Sequence, residues 1–361
     1  MPGDKKKRSG SHYVDEWLDD QSTEGGTRHS SRSLTSKKAR AKKNALQARS
    51  ALLDPTEGNA SVTEVFPKLC RVLVDGTGTE LLCPYRRASV YQSSDEHRER
   101  SPVVVGDRVK VTVMGSRDGV VEGLCTRGNV LMRPAPGRGG HESKMIHAIV
   151  ANIELLVIVS SVEKPAFNLG IVDRYLIAAQ VAGIPAALIV NKIDLNAGGD
   201  FLTHAPPWSV YRSLGISVFE VSAKQNVGLD ALAAHLHGRR VAFCGHSGVG
   251  KTSLLRVLLG RNVGQVAKVS EGNKKGTHTT KGAVLFQGPG GAHWVDTPGV
   301  REFGLVGISH EHAAQYFPEF RDLPCTRAGC DHITRADCQA TGLARYESFK
   351  RIFLSLRDGE A

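Results

Sequence analysis

The sequence lacks several features that would assign it to a specialised class of protein. No stretch approaches the ~18 consecutive apolar residues that a membrane helix needs, and the N-terminal MPGDKKKRSG has no apolar core of a signal peptide. Only seven of the 361 residues are cysteine, too few for a disulfide scaffold of this length. These absences argue against a membrane protein, a secreted disulfide-bonded domain and a fibrous protein, and we expect a cytoplasmic protein.

The remaining composition is that of a basic, multidomain protein. Hydrophobic residues make up 40% of the chain, enough to form a core, and the length suggests two or three domains. Lysine and arginine number 47 against 36 acidic residues, for a net charge of +11. This charge makes a polyanionic partner a reasonable first hypothesis without establishing one.

Residues 1–60 have the composition of a disordered basic tail. They are rich in Ser, Gly, Lys and Arg, and no acidic residue occurs from Gly25 to Ser50. Such a segment cannot bury enough apolar surface to offset the entropy lost on ordering it. The tail is either a solubilising segment or an arm that lies along nucleic acid, and its composition does not decide between these alternatives.

Residues 61–137 change to a pattern of short strands. Apolar and polar residues alternate through Val109–Val113, the period of two expected for a strand with one buried face. Similar segments bounded by Gly-containing turns occur at 69–74, 79–84 and 119–125. This pattern predicts a small OB-type β-barrel, which either binds oligonucleotides or only supports its neighbour.

Strands alternate with helices over residues 146–306. Continuous apolar runs at 155–159 and 186–190 are typical of strands covered on both faces, and the segment 171–182 between them has a helical pattern. Val241–Cys244 is another buried strand, and a helix follows it. The alternation predicts a doubly wound α/β domain.

The segment Gly245–Thr252 fits the P-loop motif G-x-x-x-x-G-K-[ST] and lies between a predicted strand and a predicted helix. Glycines at these positions let backbone N–H groups surround phosphates at a helix N-terminus. Lys251 can reach the β and γ phosphate oxygens, and the Thr252 hydroxyl can bind Mg²⁺. The predicted phosphate site comprises Gly245, His246, Ser247, Gly248, Val249, Gly250, Lys251, Thr252 and Ser253.

A second phosphate-side element, Asp296-Thr297-Pro298-Gly299, follows an apolar strand downstream of the P-loop. The Asp296 carboxylate can hold Mg²⁺ through water, and the Gly299 amide can approach the γ-phosphate. The tetrapeptide alone is an ordinary turn, but its position after a P-loop favours the metal-binding role.

Two motifs after buried strands have the residues needed to recognise guanine. The Asp194 carboxylate can accept hydrogen bonds from guanine N1–H and the 2-amino group, and adenine has neither donor, so the site would reject ATP. Asn191 would address the other edge of the base, the Lys192 stem would pack on its face, and the second motif would offer a backbone amide to the guanine carbonyl. Each motif is weak alone, but beside a P-loop they predict a site for GTP or GDP. The residues concerned are Asn191, Lys192, Ile193, Asp194, Ser222, Ala223 and Lys224.

The order of these motifs differs from that of ordinary small GTPases, in which the P-loop comes first. Here Asn191–Asp194 and Ser222–Lys224 precede the P-loop, and Asp296–Gly299 follows it. This order predicts a circularly permuted P-loop GTPase domain. The chain after Gly299 then leads directly into a C-terminal element, so a nucleotide-dependent shift near Gly299 would act on that element.

The position after Gly299 holds Val300, whereas small GTPases that use a glutamine to position water carry it there. Another residue must take this role if hydrolysis is to occur. His278 can position or deprotonate the attacking water, and Thr280 can complete Mg²⁺ coordination. We therefore predict catalytic roles for His278, Thr280 and Lys251, with a solvated loop histidine as the alternative for His278.

A cluster of metal ligands occupies the predicted C-terminal domain, residues 307–361. The pattern Cys325-x₄-Cys330-x-His332-x₅-Cys338 supplies a complete tetrahedral set for one structural Zn²⁺, the alternative being reduced cysteines and a surface histidine. The rest of the domain has helical spacing of Leu343, Tyr346, Phe349, Ile352 and Phe353, and a basic surface is predicted from Arg345, Lys350, Arg351 and Arg357.

Together these residues resemble the ribosome-small-subunit-dependent GTPase A family, a bacterial group of circularly permuted GTPases. The resemblance extends over about residues 65–355 and also includes Ala151–Ile153, Val172–Tyr175 and the sequence DTPGVREFG at Asp296–Gly304. Departures are small: Thr252 stands where serine is common, and Lys281 follows the threonine pair. The basic tail is longer than the family needs.

The resemblance implies an OB domain, a GTPase domain and a C-terminal zinc domain, with His278 matching the family's switch I histidine. It implies slow GTP hydrolysis stimulated by the small ribosomal subunit, and a role in late subunit maturation that includes release of another assembly factor. The expected partners are the subunit, its rRNA and GTP or GDP, and we expect a monomer with no membrane contact. A second hypothesis is an rRNA-binding assembly module for which GTP is a conformational ligand and turnover is incidental.

Overall fold

A computed structural model of the protein describes residues 52–85, 103–134, 146–196, 205–260, 283–297, 305–321, 323, 330–335 and 338–359. Most of the tail prediction, for residues 1–60, therefore lies outside the described residues. None of the helices within these ranges combines the length and the hydropathy that a bilayer-spanning segment requires.

The described residues form two main sheets, a two-stranded hairpin and five α-helices. The strands are β1 (Ala60–Phe66), β2 (Leu69–Val74), β3 (Glu80–Pro84), β4 (Arg108–Val113), β5 (Gly119–Leu124), β6 (Val130–Pro134), β7 (Ile146–Ala151), β8 (Leu155–Ser161), β9 (Ala186–Asn191), β10 (Ser217–Glu220), β11 (Arg240–Cys244), β12 (Val284–Gln287) and β13 (His293–Asp296). The α-helices are α1 (Leu169–Val181), α2 (Ser209–Ser213), α3 (Leu229–Leu236), α4 (Lys251–Leu259) and α5 (Tyr346–Arg357). Short 3-10 helices lie at Pro55–Glu57, Ile193–Asn196, Pro289–Gly291, His310–Tyr316, Pro318–Phe320 and Gln339–Gly342.

The first sheet is antiparallel, with the strand order β3-β2-β1-β4-β5. It curls until its two end strands meet, and the Leu82 N–H donates to the Arg117 carbonyl at 2.9 Å. The strands predicted at 69–74, 79–84, 109–113 and 119–125 are confirmed. Along β4, Val109 and Val111 are buried and Lys110 is exposed, so the alternation in the sequence marks the face that forms the core.

The chain joins this sheet earlier than its composition predicts. Leu52 packs against the core of the sheet, and the Leu53 N–H donates to the Leu124 carbonyl at 3.0 Å. Asp54 then begins a 3-10 turn by accepting a hydrogen bond from the Thr56 amide at 2.9 Å. Residues 52–60 are therefore not part of a disordered tail, because a short apolar pair and a capping residue are enough to anchor them.

The second sheet has the strand order β10-β9-β8-β11-β13-β12, and all of its strands are parallel except β12 at the edge. Its central strands are buried on both faces, as their continuous apolar runs predict. Helices α1 and α2 cover one face with residues such as Leu176, whereas α3 and α4 cover the other with Leu232 and Leu254. The prediction of a doubly wound α/β domain is confirmed.

A hairpin of β6 and β7 connects the two sheets, and the sequence patterns did not predict this pairing. The first sheet approaches it closely at Gly106, which has φ +88° and where a Cβ would collide with the Ala151 carbonyl. The Ala151 N–H donates to the Val105 carbonyl at 3.0 Å, and Asn152 Nδ2 donates to the Gly106 carbonyl at 2.9 Å. These contacts fix the first sheet against the start of the α/β domain.

The C-terminal residues pack against helix α1. Their apolar core contains Phe317, Phe320 and Phe349 together with Ile177 of α1. The predicted apolar stripe of α5 is confirmed, since Tyr346, Phe349, Ile352 and Phe353 are all buried. The shared core joins the C-terminal module, which we define as residues 307–361, to the α/β domain.

Candidate nucleotide and metal sites

The predicted nucleotide motifs gather at one edge of the second sheet. Strands β9, β10, β11 and β13 run parallel, so their carboxyl ends lie on the same side. Asn191 ends β9, Ser222 follows β10, Gly245 follows β11 and Asp296 ends β13. Crevices at the carboxyl ends of parallel strands are where α/β domains bind ligands.

The P-loop turns tightly between β11 and α4, and two glycines make the turn possible. Gly245 has φ +141°, and a Cβ there would collide with the Val159 carbonyl. Gly250 has φ +96°, and a Cβ there would collide with Nδ2 of Asn191. A side chain at either position would displace the loop from the adjoining strands, and this explains the glycines of the motif in physical terms.

The Lys251 side chain folds back into this loop from the first position of α4. Its Nζ donates to the Gly245 carbonyl at 2.5 Å and to the His246 carbonyl at 3.1 Å. Burial lowers the pKa of the Lys251 ammonium, while the nearby Asp296 carboxylate acts in the opposite direction. The lysine therefore supplies a partly desolvated cation where the motif requires one.

Asp296 presents an unsatisfied carboxylate oxygen at the end of β13. Its Oδ1 is buried and has no hydrogen-bond partner within the described part of the chain. Burial raises the pKa of Asp296, and Lys251 opposes that shift. The next residue is fixed, because Thr297 Oγ1 donates to the Phe243 carbonyl at 2.8 Å. A buried carboxylate oxygen without a donor fits a hard cation such as Mg²⁺.

Asn191 links the base-reading motifs to the P-loop. Its Nδ2 donates to the Val249 carbonyl at 2.9 Å, and its Oδ1 accepts the Ala223 N–H at 3.1 Å. The residue is almost fully buried, at 2% exposure. One amide side chain therefore holds the loop after β11 and the turn after β10 against the end of β9.

Two further contacts complete this arrangement. The Ser222 hydroxyl donates to Asp194 Oδ1 at 2.6 Å and accepts the Gln225 N–H at 3.1 Å, which orients the carboxylate. Lys192 has φ +64°, and its Nζ donates to the Gly248 carbonyl at 2.5 Å and also to the Lys164 carbonyl. The predicted base-reading residues are thus connected to one another and to the P-loop by hydrogen bonds.

Three predicted residues of the nucleotide site, His278, Thr280 and Gly299, lie outside the described residues. The same holds for Val300 and for the predicted zinc ligand Cys325. Their assignments stay predictions from the sequence.

The remaining metal ligands come together. His332 Nδ1 lies 3.8 Å from Cys330 Sγ and 3.5 Å from Cys338 Sγ, and the three ligand atoms are all within 4.8 Å of one another. Ligands of tetrahedral Zn²⁺ are separated by about 3.6 Å when one is sulfur and the other nitrogen. Burial lowers the pKa of His332, which favours the neutral imidazole that binds metals. These three side chains fit a tetrahedral metal ion.

The sequence patterns did not single out the segment 164–168, which lies beside the P-loop. Its Asn168 Oδ1 caps helix α1 by accepting the Ile171 N–H at 3.2 Å. Pro165, Ala166 and Asn168 of this segment line a cavity of about 190 Å³ together with His246 and Val249 of the P-loop. Asn168 before an apolar run is a helix-start signal, but no chemical motif marks the rest of the segment.

One sequence assignment in the C-terminal module is wrong. Arg345 does not belong to a basic surface with Lys350, Arg351 and Arg357, because its side chain is only 2% exposed. It forms ion pairs with Asp173 and Glu319. Arginine is usually exposed, so the residue type alone predicted a surface position for Arg345.

Comparisons with known proteins agree with this geometry. The family described as RsgA GTPase matches residues 124–306. The small ribosomal subunit biogenesis GTPase RsgA of Chlorobaculum tepidum is 35% identical over 301 residues, which cover 80% of this chain and 94% of that protein. The Chlorobaculum parvum protein of the same name is 35% identical over 299 residues, 79% of this chain and 94% of its own length.

Two solved structures are also similar. The crystal structure of YjeQ from Thermotoga maritima has a TM-score of 0.62 and 27% identity, covering 82% of this chain and 98% of that one. YloQ, described as a circularly permuted GTPase, has a TM-score of 0.59 and 21% identity, covering 84% of this chain and 96% of that one, and supports the fold alone. The family match, the relatives and the order of motifs on the sheet agree, so the chain belongs to the RsgA GTPase family and is a GTP-hydrolysing enzyme with a circularly permuted GTPase fold.

Proposed function

We propose that this GTPase binds the small ribosomal subunit and assists its late maturation, with slow GTP hydrolysis that the subunit stimulates and that helps to release another assembly factor. The observation that carries the proposal is the gathering of phosphate and base motifs at one sheet edge, in a chain similar to proteins named for small ribosomal subunit biogenesis. The basic net charge of +11 supports an rRNA partner.

In the proposed nucleotide site, Asp194 selects guanine. Ser222 donates to one carboxylate oxygen of Asp194, so the carboxylate is held in place by the neighbouring motif. It can then accept hydrogen bonds from guanine N1–H and the 2-amino group, which adenine cannot provide. The Lys192 stem, fixed by its two carbonyl acceptors, would lie along the face of the base.

The P-loop would hold the phosphates through its amides and Lys251. Thr252 and Asp296, joined by Thr280, are the residues that would hold Mg²⁺, which when bound supplies charge neutralisation at the β and γ oxygens. The buried, unsatisfied Oδ1 of Asp296 supports this assignment. We assign the positioning of the attacking water to His278, because Val300 cannot orient it.

The first sheet is inferred to be an OB-type barrel. Its five antiparallel strands close through the contact of β3 with β5, which suits a small Greek-key barrel of this kind. We assign the barrel to residues 61–137 with the anchoring residues from 52, the GTPase domain to 146–306 and a structural zinc module to 307–361. The protein would act in the cytoplasm as a monomer.

Replacing Asp194 by asparagine should change the nucleotide preference. The carboxamide loses an acceptor for the guanine donors but presents an N–H₂ group to the C2 carbonyl of xanthine, so GTP affinity should fall on the order of 100-fold while XTP affinity rises. Binding of both nucleotides is measured by calorimetry, with Asp230→Asn, an exposed aspartate of α3, as the control. Equal losses for GTP and XTP, or none, would contradict the assigned base contact.

Replacing His278 by alanine should leave GTP affinity nearly unchanged and reduce turnover about 10²-fold or more, the usual contribution of a positioned acid–base group. Single-turnover hydrolysis and equilibrium binding are measured on the same preparation. His312→Ala removes an exposed histidine of the C-terminal module and should change neither quantity. Unchanged turnover in His278→Ala would remove the residue from the catalytic machinery.

Purified protein should contain one zinc ion per chain, as measured by atomic emission. Cys338→Ser should lose that zinc and lower the melting temperature, because the free energy of metal binding contributes to the stability of the folded module. Cys125→Ser, which changes a buried cysteine of the barrel region, should retain the zinc. A zinc-free wild type, or full zinc in Cys338→Ser, would count against the structural zinc site.

The proposal as a whole is tested by GTP turnover with and without small ribosomal subunits, at low and at raised salt. We expect stimulation that fades as salt increases, because phosphate contacts release counterions when they form. Binding to subunits without stimulation would favour the alternative, an assembly module for which GTP is a conformational ligand. The absence of both binding and stimulation would overturn the proposed partner.

A further inference from the structure

A buried ionic cluster joins the C-terminal module to helix α1. Arg345, immediately before α5, donates from Nε to Asp173 Oδ1 at 2.9 Å and from Nη1 to the two Glu319 oxygens at 3.0 and 3.1 Å. The side chains of Arg345 and Asp173 are 2% and 0% exposed, and that of Glu319 is 17% exposed. The guanidinium thus bridges an acid of the GTPase domain and an acid of its own module.

Aromatic rings and a hydroxyl enclose this cluster. The Arg345 guanidinium lies 4.5 Å from the centroid of the Phe317 ring and 5.6 Å from that of Tyr211. The Tyr211 hydroxyl donates to the same Asp173 oxygen at 2.9 Å. Helices α1 and α2, the 3-10 turns and the start of α5 therefore meet at one planar cation, whose donors have fixed directions.

Such a cluster is not explained by stability alone. Burying two or three charges carries a large desolvation cost, and apolar residues of similar volume often serve equally well. A guanidinium that donates to two acids from its Nε and its Nη1 does, however, specify the orientation of the groups it joins. Helices α1 and α5 also touch through a simpler contact, in which Arg174 Nη2 donates to the Ser355 hydroxyl at 2.7 Å.

The first turn of helix α1 lies between this cluster and the P-loop. It begins at Leu169, one turn before Asp173, and Asn168 caps its first turn. Pro165, Ala166 and Asn168 of the preceding segment line the cavity beside the P-loop, and the Lys164 carbonyl accepts a hydrogen bond from the Lys192 ammonium. The same ammonium donates to the P-loop carbonyl of Gly248 at 2.5 Å. A continuous set of contacts therefore runs from Arg345 to the P-loop.

We propose that Arg345 is a positioning residue that couples the C-terminal module to nucleotide binding through α1 and the segment 164–168. Arg345 fixes Asp173 and hence the first turn of α1, and that turn sets where the segment meets Lys192 and the P-loop. Coupling between two equilibria is reciprocal, so bound nucleotide stabilises the docking of the start of α5 by the same factor by which that docking strengthens nucleotide binding. This inference rests on the proposed nucleotide site.

The test compares Arg345→Lys with Arg174→Ala in the full chain. Lysine keeps the charge but cannot bridge Asp173 and Glu319 with a rigid fork, whereas Arg174→Ala breaks a separate polar contact between α1 and α5. The rate of dissociation of a fluorescent GDP analogue should rise about fivefold or more in Arg345→Lys, within the usual range of coupling between sites. It should stay within about twofold of wild type in Arg174→Ala, and both variants should keep their zinc.

Hydrogen exchange supplies a readout that a purely structural role would not change. GDP should slow exchange of the amides of Tyr346–Arg357 in wild type and Arg174→Ala, and this effect should disappear in Arg345→Lys. The double variant Arg345→Met with Asp173→Asn removes the two fully buried charges and leaves only Glu319, whose side chain is partly exposed, so it should fold and show the same loss of coupling. It replaces Arg345→Lys as the test variant if that protein is unstable.

An Arg345→Lys protein with a lower melting temperature but wild-type GDP dissociation and wild-type nucleotide-dependent exchange would overturn the coupling. So would a double variant that folds and keeps both properties. If wild type itself failed to bind GDP, the proposed nucleotide site would fail first. Normal GDP binding by wild type with no change in the variants refutes the role of Arg345 alone.

Discussion

The side-chain amide of Asn191 is the contact on which the arrangement of the nucleotide motifs depends. Its two ends hold the P-loop at Val249 and the turn at Ala223, both from the end of one buried strand. An amide buried among backbone groups must satisfy its donor and its acceptor, and here each satisfies a different loop. Losing the amide would leave these two loops without a common support, so their placement relative to each other depends on this residue.

Circular permutation changes the order in which the chain connects the strands, but it does not change the arrangement of the site. The carboxyl ends of the parallel strands all lie at one side of the sheet, so the motifs that follow them meet there whatever their order in the chain. What the permutation alters is the path after β13, which proceeds to the C-terminal module and not to the base-reading strands. The first sheet contacts the α/β domain at the end of β7, where Gly106 and Ala151 are in close contact.

The sequence predicted this architecture where local patterns report directly on structure. Continuous apolar runs located β8 and β9, and the alternation of apolar and polar residues located β4. Both patterns follow from the burial of one or both faces of a strand, so a short stretch of sequence is enough to reveal them. It did not predict the pairing of β6 with β7 or the contact of Lys192 with Lys164, which depend on residues distant in the chain. The surface position predicted for Arg345 was wrong for the same reason, since nothing in the sequence pairs this residue with Asp173 and Glu319.

Helix α1 is where these separate findings meet. Asn168 of the segment beside the P-loop caps its first turn, its Asp173 lies in the ionic cluster, and Ile177 on the following turn lies in the core of the C-terminal module. Closely packed elements cannot shift independently without opening cavities or separating buried charges. A movement of the P-loop that displaces the start of α1 must therefore be shared by the module. The module thus has a connection to the nucleotide site through packing, in addition to the covalent one that follows β13.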